Sequence, residues 1–335
     1  MVDAQDRQAL DAPPKVSVVI VNLNGGDMLP RCLDFVYGQR LDEDFDITVV
    51  DNGSFDHSIR KVQAHYPQTR VILLKNNIGY SAALNRGIDQ TDGQYVLALN
   101  FDVELAPDFL DRALSAFDKG PKIGMVSGKL WGSSAGSDPR IIDTTGIVMN
   151  ELFMADRGQG EEDDGRYDET DYVFGPSGAA ALYSREMLED LRLQGQYVDE
   201  DFFAFVEDVD LAWRARLRGW RAVYTPEATG VHYRGATRHN NAERRRQYLI
   251  WSVRNRYWML LKNLSAGQWK VHRARIIRSE LRGLGRFIKH YGLHVALSAL
   301  WQSLRGSGKI RRKRREIQSR MSATRSSLDV YLFPK

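Results

Sequence analysis

Short apolar runs alternate with helical spacings through the first hundred residues. Lys15-Val16-Ser17-Val18-Val19-Ile20-Val21 is a nearly continuous β-branched run, which predicts a strand covered on both faces, as in a parallel sheet. It stops at Asn22-Leu23-Asn24-Gly25-Gly26, residues that suit a turn. Leu29, Cys32, Leu33 and Val36 then recur at helical spacing. Further strands are predicted at Ile47–Val50, Val71–Leu74 and Tyr95–Leu99, with a helix from Ser81 to Gln90 before the last of them. Four buried strands alternating with helices predict an α/β, doubly wound sheet.

In such sheets ligands bind beyond the carboxyl ends of the strands. Here those ends carry Asn22 and Asn24, Asp51 and Asn52, Asn77 and Gly79, and Asn100 with Asp102, so polar loops converge on one rim. No Gly-x-Gly-x-x-Gly follows the first strand and no phosphate-binding lysine loop is present, which argues against a dinucleotide dehydrogenase or a P-loop NTPase. Carboxylates and amides suit a nucleotide held through base and ribose, with its phosphates carried by Mn2+ or Mg2+. These ions take hard oxygen ligands and share coordination with phosphate, making Asp102 the candidate anchor.

The second half is less regular. Gly124–Gly128 and Arg221–Tyr224 predict strands. Between Arg157 and Asp171 lie seven acids without calcium-loop order, which predicts a solvated, mobile loop. Gly175-Pro176-Ser177-Gly178 places small residues where another group can approach the backbone, Gly178 being the candidate. The apolar run Phe202–Val206 then ends in Glu207-Asp208-Val209-Asp210 at the head of a helix. Acids in a first turn suit the helix dipole, and Asp210 can pair with Arg214 one turn on. Each residue turns the helix by about 100°, so Asp208 and Asp210 project about 200° apart. Asp208 is the candidate that faces a substrate as general base, with Glu207 raising its proton affinity.

Charge divides the chain sharply. From Arg238 onward there are 24 Lys/Arg against 4 Asp/Glu, leaving 23 against 39 in residues 1–237, so an acidic body precedes a basic tail. The tail reads as helical, with Leu281, Leu284, Ile288, Tyr291 and Val295 on one face and Arg282, Arg286 and Lys289 on another. Arg305–Arg325 holds nine Lys/Arg and one Glu. Such a surface suits an anionic membrane leaflet, at about 1 kcal/mol per basic residue. No run of eighteen apolar residues occurs, and residues 1–14 are polar, without a signal pattern, and expected to be flexible. One cysteine, Cys32, fits a reducing compartment. Together these predict a peripheral enzyme on the cytoplasmic face of the cell membrane.

The order of loops resembles the inverting nucleotide-sugar glycosyltransferases of family two, which have the GT-A fold. The resemblance spans roughly Lys15 to Gly235 and rests on Val18–Asn24, Val50–Ser54, Asn77-Ile78-Gly79-Tyr80 with Asn85-Arg86-Gly87, Leu99–Asp102, Glu207–Asp210 and His232. It implies a catalytic domain over 15–237, with a nucleotide-binding half (15–123) and an acceptor half (124–237), followed by a basic helical extension over 238–335. It implies that Asp51 and Asn52 meet base or ribose beside Asn22, that Asn77, Gly79, Arg86 and Asn100 line the donor site, and that Asp102 and His232 hold the metal. Asp208 matches the catalytic base. Asn100 stands where the family has an acid, and Leu23 where a tyrosine is common. Asn100-Phe101-Asp102, the Glu-Asp-Val-Asp element and the aromatic-basic stretch Asn255–Asn263 look most like rhamnosyltransferases of bacterial surface polysaccharide assembly, implying a dTDP-sugar donor and a glycan or polyprenyl-linked acceptor. Two other readings stand beside this one: a nonenzymatic nucleotide-sugar-binding module, and a nucleic-acid binder using the basic tail. An acidic body and the absence of any nucleic-acid-reading motif disfavour the second.

Overall fold

The computed structural model describes residues 13–133, 141–234 and 242–334. The expected flexible N-terminus, apart from its last two residues, and the boundary near residue 237 lie outside them. Strand β1 (Val16–Asn22) is buried throughout and pairs in parallel with β2 (Phe45–Asp51) and β4 (Tyr95–Asn100). Between these run helices α1 (Met28–Tyr37) and α2 (Ser58–His65), strand β3 (Arg70–Leu73) and helix α3 (Tyr80–Asp89). Alternate β1 residues feed two cores, with Val16, Val18 and Ile20 on one face of the sheet and Val19 and Val21 on the other.

After β4 come β5 (Val103–Leu105), α4 (Phe109–Ser115), β6 (Ile123–Gly132), β7 (Ile142–Thr144), a separate hairpin β8 (Ile147–Asn150) and β9 (Phe153–Asp156), then β10 (Asp171–Val173), β11 (Ala180–Ser184), α5 (Arg185–Asp190), α6 (Glu207–Leu217) and β12 (Arg221–His232). The main sheet has the order β10-β12-β6-β11-β4-β1-β2-β3. It is mixed because β11 runs antiparallel between β4 and β6. This is the GT-A arrangement expected of the sequence.

Two expectations need correction here. β3 is not covered on both faces: as the last strand of the sheet it leaves Arg70 and Leu73 exposed. The acidic stretch after Arg157 is solvated but tied down. The buried Lys129 ammonium bonds Asp163 (3.1 Å) and Asp168 (2.6 Å), and the Trp131 indole donates to Asp163 (2.8 Å).

The tail folds as α7 (Ala242–Asn263), α8 (Ala266–Tyr291), α9 (Leu293–Ser319) and α10 (Arg325–Leu332). The apolar face expected from Leu281 to Val295 is not one face, since the chain turns at Gly292. Val295 is buried on α9, whereas Leu281 and Tyr291 remain exposed on α8. The basic run also divides: Lys313 is buried in ion pairs with Asp199 and Asp201, while Arg311, Arg312 and Arg315 are exposed.

Candidate active site

Parallel register sets the rim. Asn22 is opposite Asp51 and Val21 opposite Asn100, so three strand ends finish side by side. The Asn100 N–H bonds the Ala179 carbonyl (2.9 Å) and the Tyr233 N–H bonds the Asp102 carbonyl (2.9 Å), bringing the starts of β11 and the end of β12 to the same edge.

On the donor side the amides organise the loops. Asn22 is fully buried, donating to Asp51 (2.9 Å), Ser54 and Ser58 (both 3.0 Å) and accepting from the Gly25 N–H (3.1 Å). With its amide spent inside the protein, Asn22 orients Asp51 and has nothing left for a ligand. Asn52 likewise bonds Asn77 (3.1 Å) and the Ile78 N–H (2.9 Å), fixing the loop that ends at Gly79. Gly79 has φ +93°, and a Cβ there would lie 2.6 Å from the Phe203 ring. Arg86 stands exposed six residues into α3, about 9 Å along its axis from Tyr80. Its neighbour Asn85 is spent on Val198 and Glu200.

His232 and Asp102 meet across β12 and β5. The His232 Nδ1 bonds Asp143 Oδ2 (2.8 Å), leaving Nε2 facing Asp102 Oδ1 at 3.3 Å. Burial pushes the imidazole down, but Asp102 and Asp143 outweigh it and hold it up at about 9. A place where two carboxylates retain a proton so firmly also suits a divalent cation. Asp102 offers oxygen, His232 offers nitrogen, and Asp143 orients the ring from behind. Among the described residues no three His, Cys, Asp or Glu side chains gather closely enough to hold a metal. Asp143 was not found from sequence; it sits in an ordinary β-strand with no motif around it.

The head of α6 carries the remaining carboxylates. Asp208 Oδ2 accepts from the Gly178 N–H (2.9 Å) and Oδ1 from its neighbour Val209 (2.8 Å). A Cβ on Gly178 would come within 3.1 Å of that carboxylate, so the small residue there leaves room for Asp208. Burial, the largest influence, lifts the Asp208 proton affinity above the ordinary carboxylate range, against the pull of the two N–H donors. Burial and the adjacent Asp208 raise Glu207 to about 8, and its Oε2 has no hydrogen-bond partner. Burial, the largest influence, and then the charges of Glu207, Asp208 and Asp102 raise the Tyr80 phenol well above its ordinary range. Asp210 points the other way, as the helical turn requires. It is fully buried against Arg214 (3.0 Å), Lys262 (2.9 Å) and Asn263 (2.8 Å).

The fold is that of GT-A enzymes, and the Glu207–Asp208 pair, with raised proton affinity, is held at Gly178 beside the end of β4. A family model, "Glycosyl transferase family 2", matches residues 17–192, and the chain belongs to that family. The chain is 25% identical over 292 residues, covering 79% of its length and 94% of the relative, to an N-acetylglucosaminyl-diphospho-decaprenol L-rhamnosyltransferase of Mycobacterium tuberculosis. Among solved structures it is similar in fold to a mannosyltransferase of Pyrobaculum calidifontis in complex with GDP-Man and Mn2+ (TM-score 0.51, 18% identity, 92% of this chain, 85% of that one). It also resembles GalNAc-T7 with UDP, GalNAc and Mn2+ (TM-score 0.56, 14% identity, 75% of this chain, 48% of that one). The chain is therefore a glycosyltransferase, and the binding-module reading falls away.

Proposed function

We propose that this enzyme transfers a sugar, with rhamnose from a dTDP donor as first candidate, to a glycan or polyprenyl-linked acceptor in bacterial surface polysaccharide assembly, with inversion at the anomeric carbon. The observation that carries the reading is Asp208: a carboxylate held by two backbone N–H groups, with raised proton affinity and no cation against it among the described residues. A hydroxyl needs a base within hydrogen-bond reach, and Asp208 takes its proton as the oxygen attacks from the face opposite the leaving diphosphate. Burial and the adjacent Asp208 raise the proton affinity of Glu207 to about 8, which favours keeping the negative charge of the pair on Asp208. Asp51 and Asn52 hold the nucleoside end, and Asp102 with His232 holds the diphosphate end. Asp102 and His232 would hold a divalent ion, which would supply positive charge to the leaving phosphates. The rhamnosyl and lipid-linked details draw on the printed activity of the mycobacterial relative. Mn2+ is the first metal to try because it accompanies both solved neighbours.

The tail supports a position on a membrane surface. No described helix is long and apolar enough to cross a bilayer. Yet Leu293, Leu297, Trp301 and Leu304 are all more than half exposed and lie within about 80° on α9. Further along the same face the residues become Arg305, Arg311, Arg312 and Arg315, a sequence of apolar then cationic side chains that fits the interface of an anionic cytoplasmic leaflet. Steady-state transfer assays with UDP-, GDP- and dTDP-sugars, each with and without Mn2+, test the reaction. Turnover of none of them would remove the donor assignment.

A further inference from the structure

The loop that delivers Asp208 is strained. Phe203 (φ +67°), Phe205 (φ +72°) and Val206 (φ +72°) all occupy left-handed backbone within four residues. Bulky residues hold such angles only where the surroundings over-determine them, and such strain clusters at functional sites. The surroundings here are α7, beyond the family match. Asn255 is fully buried; its Oδ1 faces the Arg254 guanidinium (2.8 Å), which turns its amide group to the loop. That one amide donates to the carbonyls of Phe202 (3.0 Å), Ala204 (2.7 Å) and Phe205 (2.9 Å). Arg254 adds a bond to the Phe202 carbonyl (3.0 Å).

The strain has a product. It turns Phe203 and Phe205 toward two aromatic side chains of α7, with ring centroids 4.7 Å apart for Phe203 and Trp251, 5.3 Å for Phe205 and Tyr248, and 5.8 Å for Tyr248 and Trp251. None of the four is buried, and Phe205 is 39% exposed. Four aromatic rings are therefore held partly open to solvent. The cluster touches the donor loop at one end, where Phe203 lies on Gly79 and its carbonyl accepts from the Ser81 N–H (3.2 Å). Phe205 stands three residues before Asp208.

We propose that Phe203, Phe205, Tyr248 and Trp251 form the platform on which the acceptor's sugar ring stacks, with Asn255 as the positioning residue that holds the platform beside the base. This rests on the glycosyl-transfer reading. The π faces attract the polarised C–H face of a pyranose, as they attract other positive edges. The hydroxyl to be deprotonated belongs to that ring, which is why the sugar, and not its lipid, occupies the position nearest Asp208.

Two acceptor probes test it: methyl N-acetylglucosaminide, and N-acetylglucosamine linked through diphosphate to a farnesyl chain. Phe205→Ala and Tyr248→Ala should each raise the acceptor KM about fivefold to tenfold for both probes, the conversion of about 1 kcal/mol of aromatic contact, with donor KM and dTDP affinity unchanged. Phe205→Tyr and Tyr248→Phe should restore it. Asn255→Ala should raise the acceptor KM more than either while leaving dTDP affinity in place. Quenching of Trp251 fluorescence by the methyl glycoside should vanish in Trp251→Phe. A loss confined to the farnesyl probe would overturn the sugar assignment in favour of lipid, and unchanged KM values would overturn the platform. A chain that binds the methyl glycoside by calorimetry without transferring to it would remove the reaction assigned above while leaving the platform standing; one that binds neither probe removes the platform.

Discussion

Helix α6 presents its two sides to opposite electrostatic worlds. Toward the rim, Glu207 and Asp208 meet no cation among the described residues, only backbone N–H groups, and both hold protons above the ordinary range. Two residues on, Asp210 faces the tail and is surrounded by Arg214, Lys262 and Asn263. Its neighbour Asp199 would be lifted by burial, but Lys262 and Lys313 outweigh that and hold it well below the usual carboxylate range. One helix thus keeps a reactive carboxylate by leaving it unneutralised, and keeps its own position by neutralising the next one completely. Because the cations come from α7 and α9, the tail is part of the support of the site and not an appendage to it.

The contrast can be broken from either side. Asp208→Asn keeps the shape and can accept from one of the two N–H donors but removes the base; transfer should fall by about 10²–10⁴-fold with donor affinity retained, as initial rates and calorimetry would read. Near-normal turnover would end the assignment. On the tail side, Lys262→Met leaves Asp199 and Asp210 short of a cation in a dry interior. The loss should be about 3–5 kcal/mol, seen as a melting temperature lower by on the order of 10 °C, with activity restored at low temperature if the helix re-forms.

The rim side also has a pH signature. Unfolded, Glu207 loses its proton near 4.5, and folded, near 8. Between those values the folded state binds the extra proton, so this group's contribution to stability falls as pH rises through the window. Denaturant titrations should therefore give Glu207→Gln a flatter pH dependence than wild type from pH 5 to 8; identical slopes would show the pair ionised throughout. The smallest expected effect is on the outer face of α9. Arg311→Gln with Arg312→Gln should weaken binding to anionic vesicles by about 2 kcal/mol and leave transfer to a soluble acceptor unaltered. Simple truncation before Arg305 is a poorer test, because it also removes Lys313 from the buried ion pairs.

The chain's own pattern of residues determined the strands, the helices between them and the meeting of their polar ends, since β-branched runs and turn residues act locally. It also separated Asp208 from Asp210, because two positions on one helix differ by a fixed angle. What it left undetermined depends on partners distant in the chain. Asn22 reads as a ligand contact, yet three neighbours from another loop consume its amide. Asn85 reads as part of a motif, yet Val198 and Glu200, far along the chain, consume its side chain. Lys313 reads as one of five basic residues in a row, yet only the packing of α9 against Asp199 and Asp201 decides that it is buried while Arg312 is not. The left-handed turn at Phe203–Val206 has no local signal, because bulky residues disfavour it and only Asn255, about fifty positions later, holds it in place.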